Sequence, residues 1–145
     1  MSVEDVEAIR HLQATYSFLV DGRRYEELGE LLADAVFRLT WEAEEIETDE
    51  IRGAEAIVAY YQEHQRGRRP SRHLITNEAI EVAEDGQSAV SYSYLTSVGY
   101  PPRPPEPPIV ILSGHYEDRF EKIDGRWRIT QKYCVMELPS SRESG

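Results

Sequence analysis

Proton transfer near neutral pH calls for an imidazole or a perturbed carboxylate, so the four histidines are the first residues to sort. His11 adjoins Leu12 in a helical stretch, off its apolar stripe, and reads as a surface or helix-packing residue. His64 falls on the apolar stripe of a later helical stretch, near the C-terminal end where a helix dipole favours imidazolium, and reads as a core or rim histidine. His115 alternates with Tyr116, so it faces away from Gly114, Tyr116, Asp118 and Phe120 and fits a subunit interface better than a site. His73 differs because it opens a strand directly after a helix, and its period-two neighbours are Ile75 and Asn77. One strand then offers an imidazole and an amide to the same space. A carboxylate partner is available in Asp21, which ends the first helix at a turn. Asp21 either serves that turn alone or points under the helices toward His73. In the second arrangement it fixes the ring tautomer, raises the imidazole's basicity and leaves the other nitrogen free to take a proton.

Other chemistries find little support. The single Cys134 has no CxxC partner and fits a reducing compartment as an inert thiol. There is no GxGxxG, P-loop, HExxH or GxSxG, and no His, Asp and Glu at metal-ligand spacing, so neither a metal nor another cofactor is expected. Glu42-Ala43-Glu44-Glu45 reads as a charged loop rather than a ligand set. The formal net charge of −11 repels phosphate backbones, which argues against nucleic acid as a partner. The one basic cluster, Arg66-Gly67-Arg68-Arg69 with Arg72, reads as a solvated helix end complementing the helix dipole. No apolar run approaches the roughly 20 residues a membrane-spanning helix needs, and the acidic Met-Ser-Val-Glu-Asp-Val-Glu start lacks a secretory pattern, so a cytoplasmic protein is expected.

The elements that must position these residues are legible in the periodicity. A length of 145 residues fits one domain, 1–145. Ser2 with Asp5 resembles a capping box ahead of Val6, Ile9, Leu12, Tyr16 and Leu19, which predicts a helix from about Val3 to Val20, stopped at Asp21-Gly22. Tyr25, Leu28, Leu31 and Leu32 predict a second helix, and the two form a hairpin. Val36-Phe37-Arg38-Leu39-Thr40-Trp41 has strand composition, and Ala54 to about Gln65 reads as a third helix ended by Gly67 and Pro70. Beyond Pro70, strands are predicted near 72–83, 87–100, 109–123 and 126–137, with hairpin turns at Asp85-Gly86 and Asp124-Gly125. In the second of these, Val90, Tyr92, Tyr94, Thr96, Val98 and Tyr100 share one face and Ser91, Ser93, Leu95 and Ser97 the other. Residues 101–108 hold six of the eight prolines and must be an extended connection, a stiffened loop or a lid, since proline cannot donate to a ladder. Residues 139–145 read as a flexible tail. Three helices followed by a long meander predict an α+β fold whose helices cover one concave face of an antiparallel sheet.

Several strings, in this order, resemble the SnoaL-like branch of the NTF2-like superfamily. They are Tyr16 with Val20-Asp21, Leu31-Leu32-Ala33-Asp34-Ala35-Val36, Arg52-Gly53-Ala54-Glu55-Ala56-Ile57, His73-Leu74-Ile75-Thr76-Asn77, and Gly114-His115-Tyr116-Glu117-Asp118 followed by Asp124-Gly125-Arg126-Trp127-Arg128-Ile129. The resemblance implies a cone-shaped α+β barrel, commonly dimeric or higher, with a ligand pocket at its wide end. Its dehydratase and dehydrochlorinase members pair a first-helix Asp with a strand His, matching Asp21 and His73. It also implies a pocket-lining basic residue on the last strand, matched by Lys132 or Gln131. Scytalone dehydratase carries two pocket tyrosines where Val20 and Trp41 fall here, and its second strand histidine has no counterpart beside Tyr92-Ser93-Tyr94, so a different substrate is expected. Tyr16, Tyr92 and Tyr94 are either packed aromatics or acids and orienting hydroxyls. Together with Trp41, Asn77 and Lys132 they make up the expected substrate-binding set, in a lining of Leu, Ile, Val, Trp and Tyr rather than arginine clamps, suited to an apolar cyclic molecule. Two functions fit: a cofactor-free lyase or isomerase using the His-Asp pair, or a non-catalytic binding or assembly module of the same fold.

Overall fold

The structure, a computed structural model, describes residues 2–41, 46–99 and 107–138. The acidic stretch 42–45, Tyr100, residues 101–106 of the proline-rich connection and the tail 139–145 lie outside the described residues.

Helix α1 spans Val3–Asp21, and its start is fixed as the sequence predicts: Ser2 Oγ accepts from the Asp5 N–H at 3.1 Å and donates to the Asp5 carboxylate at 2.7 Å. Helix α2 is Tyr25–Leu31 and α3 is Ala54–Gln65. The strands are β1 Val36–Trp41, the short β2 Ile46–Glu47 and β3 Ile51–Arg52, and the long β4 Ser71–Val82, β5 Ser88–Gly99, β6 Ile109–Ile123 and β7 Arg126–Leu138. Asp124 (φ 51°) and Gly125 (φ 78°) both take the left-handed conformation that a two-residue hairpin turn demands, joining Ile123 to Arg126.

Sheet order is β2-β1-β7-β6-β5-β4, with β3 paired to β1. The meander β4 to β7 is antiparallel throughout, but β1 lies parallel to β7, from Val36 opposite Gln131 to Trp41 opposite Met136. The sheet is therefore curled and mixed, with two edges, rather than a closed antiparallel barrel. Register shifts at Thr76/Ala79, Ser97/Val98, Ser113/Gly114 and Arg119/Phe120 bend the long strands, which is how a sheet gains this curvature. At one of these bends only glycine fits: a Cβ on Gly114 would lie 2.0 Å from the Val135 carbonyl oxygen.

The helices cover the concave face, and Ile9, Leu28, Leu32, Phe37, Ile57 and Phe120 are at most 1% exposed between the layers. Each such side chain contributes about 1.5–3 kcal/mol of transfer free energy. A polar clamp at the start of α1 also crosses the layers. The Asp5 carboxylate also accepts from Trp127 Nε1 on β7 (2.8 Å) and pairs with Lys122 Nζ on β6 (3.0 Å). The Trp127 bond first, then those from Ser2 and Lys122, hold its carboxyl down at about 2.

A carboxyl with a depressed folded-state pKa stabilises fully above its unfolded value and loses that contribution as pH falls through the folded one. The stability gap between wild type and Asp5→Asn should accordingly be widest near neutral pH and close as pH falls from about 4 toward about 2. Urea midpoints across that window measure it, and a gap independent of pH would contradict the clamp.

Candidate active site

Residues at the end of α1 shape the site's entrance. Gly22 stays right-handed (φ −80°) and its N–H caps the Phe18 carbonyl, while Arg23 takes the left-handed conformation (φ 53°) that reverses the chain toward α2. This differs from a plain glycine stop, in which the glycine itself would bear the positive φ. The reversal leaves Asp21 on the inner side, and both of its carboxylate oxygens bind one residue of β4. Oδ2 accepts from the His73 backbone N–H at 3.0 Å, and Oδ1 meets His73 Nδ1 at 2.5 Å. The Asp21 side chain is 5% exposed and the His73 ring 18%. A carboxylate facing Nδ1 fixes the proton there, so Nε2 carries the free lone pair of the neutral ring.

Both residues line a cavity of about 520 Å³ between the helices and the concave sheet face. That is the size of a small-molecule site. Its walls are mostly apolar or aromatic, among them Val20, Phe37, Leu39, Leu95, Leu112 and Met136. Four tyrosines line the cavity: Tyr16 and Tyr61 share a short hydrogen bond, Tyr116 stands edge-on to Tyr16 with ring centres 5.8 Å apart, and Tyr60 packs edge-on to Tyr61. Burial pushes the phenols of Tyr16, Tyr61 and Tyr116 well above their ordinary pKa and that of Tyr60 up to about 12, so they are neutral donors rather than bases. With Tyr16 bonded to both the Tyr61 and the Tyr116 hydroxyl, the three O–H groups make two bonds among themselves and retain one to donate. His64 also lines the cavity, stacked on Tyr60 with ring centres 5.8 Å apart. Burial, then the charges of Arg68 and His73, lower its pKa, which keeps it neutral at pH 7.

Behind the tyrosines lies a buried ion pair. Lys132 Nζ donates to Asp118 at 2.8 Å with both side chains at most 1% exposed, and the ammonium sits 4.1 Å from the Tyr16 ring centre and 3.7 Å from that of Tyr116. Burial raises the Asp118 carboxyl above its ordinary range while Lys132 opposes the rise. Removing one partner of such a pair typically costs about 3–5 kcal/mol, because the other is left charged in the interior.

The structure thus brings Asp21, His73 and Tyr16 to one cavity and distributes the other expected residues elsewhere. Lys132 is walled off from the cavity by the tyrosine rings, and Gln131 on the same strand donates to the Glu117 carbonyl instead. Trp41 shares an inward face with Phe37 and Leu39 but packs against the core beyond the cavity lining. Asn77 is a correction: it adopts a left-handed conformation (φ 53°) at the Thr76/Ala79 bulge and is exposed, so Glu78, not Asn77, continues the inward face of His73 and Ile75. Tyr92 and Tyr94 are corrections too. They stand on the outer face of β5, 43% and 49% exposed, because the serine face Ser91, Ser93 and Ser97 is the one that turns inward. His115 lies on that outer face, stacked on Tyr92 and bonded to Glu137.

Two lining features were not foreseen. Tyr61 was not among the expected site residues, although its i+4 relation to Ile57 in the third helix already pointed it inward. The expected absence of arginines is corrected as well, since Arg23, Arg68 and Arg69 line the cavity. Their distance apart in sequence, on the α1–α2 turn and the α3–β4 connection, hid the grouping.

Helices laid over a curled sheet, with a cavity between the layers, define the class of NTF2-like proteins. Within it, a model of the SnoaL-like domain matches residues 1–132, and the chain belongs to that family. Comparison with curated proteins finds no match. Solved structures with the same fold include an NTF2-like protein with a cystatin-like fold from Novosphingobium aromaticivorans (21% identity, 97% of this chain and 86% of that one, TM-score 0.75). A single-substitution variant of Rv3472, a Mycobacterium tuberculosis protein of unknown function, matches at 26% identity over 97% of this chain and 76% of that one (TM-score 0.74). A provisionally assigned scytalone dehydratase from Novosphingobium aromaticivorans matches at 20% identity over 94% and 86% (TM-score 0.71).

Cys134 also lines the cavity, yet burial pushes its thiol up to about 12, so it offers no thiolate nucleophile at neutral pH. A disulfide reagent should label it only after denaturation; labelling of the native protein at the rate of a free thiol would refute that assignment.

Proposed function

We propose that this protein is a cofactor-free lyase or isomerase, of dehydratase, dehydrohalogenase or cyclase type, in which His73 removes a proton from carbon. The observation that carries the reading is the two-point bond between Asp21 and His73 at the wall of a largely apolar cavity. With Nδ1–H held by Asp21, Nε2 is the base, and the imidazolium formed on proton abstraction is paired with a carboxylate already in contact. The negative charge left on the substrate needs a donor, and the one O–H left over among the bonded hydroxyls of Tyr16, Tyr61 and Tyr116 is a neutral, preorganised one in a buried setting. Elimination of a leaving group or return of the proton to another carbon would complete a lyase or an isomerase cycle from the same start. The provisional assignment of a structural relative as a scytalone dehydratase is in keeping with this class.

His73→Ala should keep the fold and abolish turnover when hydroxylated and halogenated cyclic compounds are screened. Asp21→Asn should lower kcat by about 10²–10⁴-fold, the range attributed to positioned general bases. Undiminished turnover by His73→Ala would overturn the mechanism, and ligand binding without turnover by wild type across the panel would favour a binding module instead.

We further propose that the protein is a homodimer or higher homo-oligomer, assembled through the outer face where Val90, Tyr92 and Tyr94 are 43–49% exposed. Light scattering should give a mass of at least two chains, falling to one for Tyr92→Ser/Tyr94→Ser. A monomeric wild type would remove this proposal.

A further inference from the structure

The cavity mouth is basic in a protein whose formal net charge is −11. We infer that the substrate is an anion, an apolar ring system bearing a carboxylate or phosphate group that docks on Arg23 and Arg68 while its ring body occupies the cavity. This rests on the reading of the cavity as a substrate site, and it names the substrate class that the site selects.

Four observations carry it. Arg23 and Arg68 both line the cavity, and Arg23 Nη2 donates to the Arg68 carbonyl at 2.6 Å, which ties the two arginine-bearing segments together across the entrance. One donor is used in that bond, and the guanidinium retains four N–H groups for a bound oxyanion.

Among the described residues no carboxylate neutralises either arginine. Arg10, Arg24, Arg52, Arg66 and Arg128 each pair with a carboxylate, whereas Arg23 and Arg68 pair with none among the described residues. The one acid among the described lining residues, Asp21, has committed both oxygens to His73. Two cavity-lining arginines without a carboxylate partner among the described residues, in a chain this rich in Asp and Glu, hold a local positive field that draws anions to the opening.

The backbone at Arg23 points the same way. Left-handed conformation costs a non-glycine residue roughly 1 kcal/mol or more, and a glycine stands next door at position 22 in ordinary right-handed conformation. The turn is thus built so that the residue delivered to the mouth is an arginine. The field also reaches inward: after burial, Arg68 is the largest influence holding His64 below its usual pKa.

A planar guanidinium pair suits an oxyanion specifically, since it can bind two oxygens of one carboxylate or phosphate with parallel N–H donors. The sequence-based expectation of a purely apolar substrate then needs one amendment: apolar body, anionic end.

The test measures binding, so it is independent of turnover. Tryptophan fluorescence or calorimetry on the full chain would compare naphthoate, naphthyl phosphate and the neutral isostere naphthamide at low salt. An anionic probe should bind about tenfold more tightly than naphthamide, with the advantage shrinking as salt is added. Whichever anion binds more tightly identifies the group as carboxylate or phosphate. Arg23→Gln/Arg68→Gln should abolish the advantage and leave naphthamide affinity unchanged, and His73→Ala should retain it. No anion preference in wild type, a preference that survives the double arginine change, a preference lost in His73→Ala, or no binding of any probe would each overturn the inference. Loss of turnover in His73→Ala is a separate readout, so the anion site and the proton-transfer reading can fail independently.

Discussion

The Asp21 carboxylate does two structural jobs with its two oxygens, and the site depends on both. By accepting the His73 backbone N–H it fastens the end of α1 to the beginning of β4, so the helix that covers the sheet and the strand that walls the cavity share one fixed point. By meeting Nδ1 it fixes which face of the imidazole is left to the cavity. The donor of that bond is a backbone N–H, which does not move with the His73 rotamer, so it sets the carboxylate position on which the ring bond relies. Gln65 reinforces the same corner, donating to the Val20 carbonyl at 3.0 Å and accepting from the Tyr25 hydroxyl at 2.7 Å, which draws all three helices to one point. This corner, tied by cross-element bonds from every helix, is the one where the base sits.

The concave face has a second polar feature deeper in, and its logic is different. Lys132 and Asp118 are fully desolvated, and such pairs are weak evidence for stability because desolvation offsets most of their attraction. Their placement under the rings of Tyr16 and Tyr116 gives them a use beyond packing. The ammonium, 3.7–4.1 Å from the two ring centres, gains cation–π attraction from both, and in doing so fixes the rings that wall the cavity. The inward serine face of β5 belongs to the same arrangement, with Ser91 Oγ accepting from Gln13 Nε2 of α1 at 2.8 Å. Small polar side chains let the helix approach the sheet there, while the large aromatic side chains of β5 are directed outward.

How much of this was legible from residue order divides by range. Helix boundaries, hairpin turns and strand lengths follow from local signals, and the structure reproduces them to within a residue or two: the capping pair Ser2 and Asp5, the turn Asp124-Gly125, the alternation around Tyr116. The SnoaL-like motifs added the overall architecture. The parallel docking of β1 on β7 was not legible locally, because the two strands are about ninety residues apart and no turn chemistry links them. The inward face of β4 beyond Thr76 was misread because a period-two count assumes an unbroken ladder, and the bulge with Asn77 at positive φ inserts a residue. For β5 the hydrophobic rule itself pointed the wrong way. Valines and tyrosines face out and serines face in, so the stripe that burial statistics would assign to the core is the exposed one.

The arginines show why charge must be read in three dimensions rather than along the chain. As a sequence run, Arg66-Gly67-Arg68-Arg69 is an ordinary helix end, and Arg66 behaves as one by pairing with Glu63 at 2.9 Å. The fold separates its neighbours from that role by turning the chain at Gly67 (φ 68°), so that Arg68 and Arg69 reach the cavity mouth and Arg23 arrives from the helix hairpin. The base and the cations then divide the cavity between them. His73, held by Asp21, can take up a proton because its new charge has a carboxylate beside it, while Arg23 and Arg68 remain uncompensated by that same carboxylate. Were Asp21 free to turn toward Arg23, it would neutralise the mouth and release the imidazole together. Its backbone bond to His73 prevents that exchange, and so one hydrogen bond keeps both the orientation of the base and the charge at the entrance.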